Sequence, residues 1–387
     1  MIGGLSPGLA RLIAGHVFLH ACMAGTRMAA PLLALRAGHS EAAVGVLLAL
    51  FATTQVFLAL PAGRYADRHG LRRPVGLSVI AATTGAALAV AFPIFPVLCA
   101  SALLTGGATG AASIALQRHV GRAAETPTQL KQVFSWLAIG PAFSNFVGPF
   151  TAGIMIDHGG FRAAFLLLAV LPVVCWFWVR TVPDLPAVVA PSLRKKSRAW
   201  DLVAEPTFRR LLLVNWFLSS CWDVHTFVVP VLGHERGLSA SVIGTILGAF
   251  AMAAALIRLV LPLLAARLRE HLVVVGAMSA TAALFAIYPF MQAAPAMAIC
   301  SVLLGAALGS VQPMIMSMLH QITPEHRHGE AVAMRVMVIN ASSVSMPLLF
   351  GMAGSVIGIA GVFWVTGAAV AAGTRLAMRL GDLPPAP

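Results

Sequence analysis

Between Arg73 and Arg118 the chain runs for 44 residues without an Asp, Glu, Lys or Arg; between Glu270 and Glu325 it does so for 54, and between Arg335 and Arg375 for 39. Each run is long enough for two membrane-crossing helices of about 20 residues. Soluble domains carry about 25% charged residues, whereas this chain of 387 residues carries 10%, with 59% hydrophobic. Lipid is therefore the expected solvent for most of its surface.

The apolar stretches predict an all-α membrane protein with twelve spans near 10–35, 41–62, 74–92, 96–118, 131–156, 161–181, 209–232, 240–264, 271–290, 295–319, 331–354 and 358–379. The longest connection, about Thr181 to Phe208, contains Pro183, Pro186, Pro191 and the run Arg194-Lys195-Lys196-Ser197-Arg198. It divides the chain into an N-terminal six-helix bundle over 1–182, a cytoplasmic linker over 183–207 and a C-terminal six-helix bundle over 208–387. The first apolar stretch, from about Leu12 to Leu35, is too long for a signal peptide and is expected to remain as the first span.

A net charge of +13 invites a nucleic-acid reading, but the distribution of the 26 basic residues argues otherwise. With an internal N-terminus, twenty fall in internal loops or tails, three in external loops and three inside helices. This is the positive-inside pattern of a bacterial-type inner (plasma) membrane protein with both termini cytoplasmic. No nucleic-acid partner is expected. The five cysteines, Cys22, Cys99, Cys175, Cys221 and Cys300, all sit in apolar stretches without metal-ligand spacing and read as packing residues. His320, His326 and His328 lie in a connection without fixed ligand geometry, so no metal is expected there.

An internal repeat supports the two-bundle division. At a separation of 199 residues, Arg11/Arg210, Phe18/Phe217, Leu19/Leu218, Cys22/Cys221, Pro31/Pro230, Ser40/Ser239, Gly45/Gly244, Phe51/Phe250 and Arg68/Arg267 coincide. So do Pro96/Pro295, Gly106/Gly305 and Gly110/Gly309, and at 198 Pro149/Pro347, Gly153/Gly351 and Phe165/Phe363. Two parallel repeats of six helices, related by an axis along the membrane normal, are an architecture of transporters.

After the second span the sequence reads Gly63-Arg64-Tyr65-Ala66-Asp67-Arg68-His69-Gly70-Leu71-Arg72-Arg73. It resembles the cytoplasmic G-x-x-x-D-R-x-G-R-R signature of the major facilitator superfamily. Glycines permit a tight loop, and the arginines stay at the inner surface. The resemblance assigns Gly63, Asp67, Arg68, Gly70, Arg72 and Arg73 to a cytoplasmic gate. It also implies the family's fold: twelve transmembrane helices in two pseudo-symmetric six-helix bundles. The second half holds only a degraded copy, Leu264-Ala265-Ala266-Arg267-Leu268-Arg269, without an acid at the position matching Asp67. In the fifth span Gly140-Pro141, Ser144-Asn145, Gly148-Pro149 and Ala152-Gly153 look like the glycine-proline signature of the family's drug/proton antiporters, carried here by Gly148, Pro149 and Gly153. Glycine allows close helix approach and proline weakens the backbone ladder, which together favour a helix that bends.

Among thirteen acidic residues Asp223 alone falls well inside a span. A charge there costs about 2.5–3.5 kcal/mol on insertion scales, so it is expected to face the bundle interior. His16, His20 and Arg27 share one face of the first span, and Asn215, Ser219, Asp223 and Thr226 share one face of the seventh. Under the 199-residue register 16, 20 and 27 map onto 215, 219 and 226. The expected proton-coupling set is Asp223 and Arg27 with His20 and His16. Trp222, Asn145, Trp136, Asn340 and Arg335 complete the expected substrate cavity with Asn215, Ser219 and Thr226. Trp216 and Phe143 are further aromatic candidates. Arg258 is expected to reach the cytoplasmic headgroups.

No phosphate loop of the form GxxxxGK[ST] occurs, and no nucleophile–base pair suggests catalysis. The reading is a secondary active transporter that moves a small organic solute by alternating access and proton-coupled efflux. It needs no cofactor, works as a monomer and has the solute, protons and membrane lipids as partners. The alternatives are a proton-coupled importer of an organic anion and, from another class, a non-transporting receptor or membrane-embedded enzyme.

Overall fold

The computed structural model describes residues 7–123, 127–184, 201–264, 269–324 and 327–381. Its helices are α1 (Pro7–Arg36), α2 (Glu41–His69), α3 (Arg72–Ala91), α4 (Phe95–Ala123), α5 (Pro127–Val179), α6 (Asp201–Ala204), α7 (Pro206–Glu235), α8 (Ala240–Leu264), α9 (Glu270–Ile287), α10 (Ala294–Ile322) and α11 (His328–Met378). Ten are long and apolar enough to cross a membrane. Two of them, α5 and α11, are each a pair of helices joined at a glycine with positive φ, Gly160 (75°) and Gly358 (72°). Both glycines fall in or beside the gaps expected between spans. Their left-handed backbone is open to glycine at no steric cost, and twelve spans result.

Two boundaries differ from expectation. The second helix was expected to stop near 62 but continues to His69, so Gly63 through His69 are helical and the turn proper is Gly70 and Leu71. Polar residues after Pro61 do not end the helix, because Arg68 and His69 in its last turn favour the C-terminal end of the dipole. The expected linker also contains a helical turn, α6. The basic run 194–198 lies outside the described residues.

Large apolar side chains cover the outside of the helices. Phe57 is 75% exposed and Val356 83%, and Ile80, Phe290 and Ile299 are also exposed. Such a surface is matched to hydrocarbon rather than water.

The chain forms two compact units, Met1–Pro191 with Gly233–Gly248, and Ser192–Leu232 with Ala249–Pro387. In the first, α1 packs on α5, α4 on both α2 and α3, and α3 on α5. In the second, α9 packs on α10 and α11. The same close crossing recurs in each. A methyl group at Gly106 would run into the Phe51 carbonyl, and one at Gly305 into the Phe250 carbonyl. One turn further on, Gly110 faces Gln55 and Gly309 faces Ala254. The repeat seen as paired letters is thus a repeated steric fit of small residues against backbone.

The first unit also holds a seam between α5 and the start of α8. Gly153 lies against the Ala240 carbonyl, Gly244 against the Pro149 carbonyl, and Gly248 against the Phe146 ring. Asp157 Oδ1 accepts the Ala240 amide at 3.0 Å and Oδ2 the Ser241 amide at 2.8 Å. On its other side, α5 meets α1: Gly148 abuts Ala21 and Gly25, and the Ser144 hydroxyl donates to the carbonyl oxygens of Val17 and Gly140. The glycine-proline segment therefore serves close packing on two sides.

Candidate functional site

In the second unit a polar column runs between α7 and α11. Asp223 is only 3% exposed. Its Oδ2 accepts the Ser342 hydroxyl at 2.8 Å and its Oδ1 the Ser343 hydroxyl at 3.3 Å. Ser342 also meets Ser220 at 3.4 Å, and Ser220 donates to the Trp216 carbonyl. A buried carboxylate must be paired or hydrogen-bonded, and hydroxyls suit either protonation state because they both donate and accept.

Two turns along the same helices, about 12 Å at 1.5 Å per residue, Arg335 donates from Nε to Asn215 Oδ1 at 3.1 Å. Both residues are buried. Arg258 on α8 does not run out to the headgroups as expected. Its Nε donates to the Gly309 carbonyl at 3.3 Å, and its guanidinium lies 5.8 Å from the Trp222 ring centroid. Packing against an indole face offers a cation more inside the bundle than the apolar path outward would.

The remaining expected cavity residues differ in availability. Ser219, Asn145 and Asn340 are half-buried. The Thr226 hydroxyl is taken up by its own helix, donating to the carbonyls of Trp222 and Asp223. The Trp136 side chain lies outside the described residues, as do those of His320, His326 and His328. Phe143 is exposed.

In the first unit His16 is buried, with Nε2 3.1 Å from the Ser113 hydroxyl. His20 stands edge-on to it, ring centroids 5.9 Å apart, and its Nδ1 is enclosed without a hydrogen-bond partner among the described residues. Arg27, half-buried, follows on the same helix. The two histidines are thus brought together as their spacing implied.

At the end of α2 the Asp67 side chain lies outside the described residues, while Arg68 and Arg73 are exposed. Gly70 has φ 72° and Arg72 donates from Nε to the Val182 carbonyl at 2.9 Å. Arg118 donates to the Ala66 carbonyl at 2.7 Å, tying α4 to the same segment, and Gly63 sits in loose contact with Ile114. Sequence reasoning missed the residue that organises this turn. Asp184 Oδ1 accepts the amides of Leu71 at 2.7 Å and Arg72 at 3.1 Å, and a methyl group at Gly70 would meet that carboxylate. It missed a second cluster too: His225 Nε2 lies 2.9 Å from the Ser301 hydroxyl, which lies 2.8 Å from the Tyr288 hydroxyl. The only sequence signals were an acid after a span and a histidine two residues from Asp223.

Among solved structures the chain is similar to a POT family transporter in complex with a thioalcohol-conjugated peptide (TM-score 0.80, 14% identity, covering 98% of this chain and 97% of that one). It is also similar to the nucleoside transporter NupG (TM-score 0.75, 14% identity, 96% and 99%). At such identities the likeness establishes the fold. Among curated proteins it is 26% identical over 317 residues to the "Tetracycline resistance protein, class B" of Escherichia coli, covering 79% of this chain and 77% of that protein. The family described as Major Facilitator Superfamily matches residues 12–222 and again 211–387. Twelve spans, a doubled glycine fit and a family match along nearly the whole length agree: this multi-pass membrane protein is a transporter, not an enzyme, and belongs to the major facilitator superfamily.

Proposed function

We propose that the protein exports a small organic solute across a bacterial inner membrane in exchange for protons, with both termini cytoplasmic and a single chain as the working unit. The observation that carries this reading is Asp223, a carboxylate buried within a span and held by the Ser342 and Ser343 hydroxyls. A group in that setting exchanges a proton when the hydration of its cavity changes. Arg27 is proposed to share the coupling role with Asp223. His16 and His20 are proposed as a second proton-carrying pair. The repeats over 1–182 and 208–387, joined by the linker 183–207, would rock about a midplane site.

Export is supported by the partial antiporter-like segment around Gly148, Pro149 and Gly153, and by a relative whose name records resistance to tetracycline. Import of an organic anion by proton symport is the second reading, favoured by the buried Arg335.

Everted vesicles loaded with a solute panel, with and without an imposed pH gradient, separate the two by the direction of solute flux relative to protons. Asp223→Asn should abolish gradient-driven transport and leave counterflow exchange. Unchanged gradient-driven transport in that variant would remove Asp223 from the coupling role.

A further inference from the structure

The second unit holds more buried positive charge than its described side chains answer. Arg335 is 7% exposed and Arg258 half-buried. The Arg258 charge acts repulsively on Arg335. Among the described residues, the one hydrogen bond that each makes goes from Nε to a neutral oxygen, on Asn215 and Gly309 respectively. Both forks therefore keep their terminal nitrogens, and the described residues give neither a carboxylate. Asn215, the partner of Arg335, is itself 4% exposed, and its amide nitrogen is enclosed without an acceptor among the described residues. Asp223 is two turns along α7 from Asn215 and held by serines.

We propose that Arg258, Arg335 and Asn215 form the binding site for the oxyanion head group of an organic anion, the cargo of this transporter. The inference rests on the transport reading alone, and on neither its direction nor its coupling ion. An enclosed amide nitrogen without an acceptor, and two guanidiniums without a carboxylate, among the described residues are costly in a low-dielectric interior. An oxyanion removes that cost at once. A guanidinium anchored through Nε presents its terminal N–H groups as a planar fork, the shape that carboxylate and phosphate oxygens fit in pairs. Trp222 beneath Arg258 holds that fork in place and offers an apolar wall to the body of the solute.

The test uses purified full-length protein in detergent at neutral pH, with no gradient. Binding and thermal stabilisation are measured with succinate, salicylate, phenylphosphonate and inorganic phosphate, and with tetraphenylphosphonium as the opposite charge. At least one organic anion is expected to bind and stabilise, the carboxylate and phosphonate arms identifying the head group, while the cation does neither. Arg335→Gln and Arg258→Gln should each weaken that anion roughly tenfold or more, and Arg335→Lys less, because it keeps the charge and loses the fork. Stabilisation by tetraphenylphosphonium and by none of the anions overturns the proposal, as does silence from every probe. Undiminished anion binding in the folded double glutamine variant also overturns it. If the variants do not elute as folded protein, the anion-against-cation comparison on the unaltered chain decides. An anion that binds here yet is not driven by a pH gradient in vesicles would sink proton coupling and leave this site standing.

Discussion

Asp157, at the end of the first arm of α5, accepts the Ser241 amide at 2.8 Å across 84 residues of sequence. With its other oxygen on Ala240, it caps the first turn of α8, a helix with no acidic residue in that turn. The first amides of any helix lack partners within it, and a carboxylate there gains from hydrogen bonding and from the helix dipole together. Around this cap Gly153 and Gly244 let the two backbones touch. At the 198-residue register the counterpart of Asp157 is Ser355, so the first repeat carries a charge at this position and the second does not.

Asp157→Ala should therefore loosen the start of α8. Replacing a capping acid by alanine costs about 0.5–2 kcal/mol, and because Asp157 is exposed the lower half of that range applies. The expected readout is faster hydrogen exchange at the amides of Ala240 and Ser241, with the rest of α8 unchanged. Asp157→Asn keeps one acceptor and should fall between. Equal exchange in all three forms would show that the cap does not hold the seam.

The glycine fits make a paired prediction. Gly106→Ala and Gly305→Ala should be comparably harmful, since each added methyl group meets a carbonyl of the neighbouring helix. Overpacking of this kind costs about 1–3 kcal/mol, seen as loss of monodisperse protein after extraction. Gly276→Ala on α9, with nothing near the added atom, is the control and should be silent or slightly stabilising.

At the opposite end of α2, Asp184→Ala should free the Gly70–Leu71 turn. Two amides lose their acceptor, a loss of about 1 kcal/mol for an exposed carboxylate. Limited proteolysis and exchange at Leu71 and Arg72 should both speed up. Gly70→Ala should do at least as much, since it forces a side chain to φ 72° against the same carboxylate.

Much of this architecture was readable because its causes are local or periodic. Charge-free runs specify spans, and the paired Gly106 and Gly305 report a steric need that any lipid-packed helix pair shares. Polar spacing on α1 placed His16 beside His20, because helical periodicity fixes neighbours on one helix. What escaped were partnerships across the fold. Asp184 with Leu71, Asp157 with Ser241, and Asp223 with Ser342 join residues more than 80 positions apart, and no periodicity encodes which helix lies next to which. Arg258 was misread for the same reason: its position near a span end suggests headgroups, whereas Trp222 from another helix draws it inward.

His225, Ser301 and Tyr288 supply the last prediction. The imidazole is fully enclosed, stacked on Phe250 with centroids 3.9 Å apart, and shares the Ser301 hydroxyl with Tyr288. A single hydroxyl can donate once and accept once or more, so Ser301 can satisfy both rings whichever histidine tautomer is present. Ser301→Ala removes that shared partner from two buried polar groups, and each group left unsatisfied costs about 1–3 kcal/mol. The Tyr288 hydroxyl retains a long contact to the Met297 carbonyl at 3.4 Å, so the expected loss is nearer that of one group than two. Ser301→Thr, which keeps the hydroxyl, should recover most of the stability. Solute transport at permissive temperature should survive Ser301→Ala, because the cluster is separate from the Asp223–Ser342 bonds. Loss of transport in a Ser301→Ala protein of normal thermal stability would instead place this cluster in the transport path.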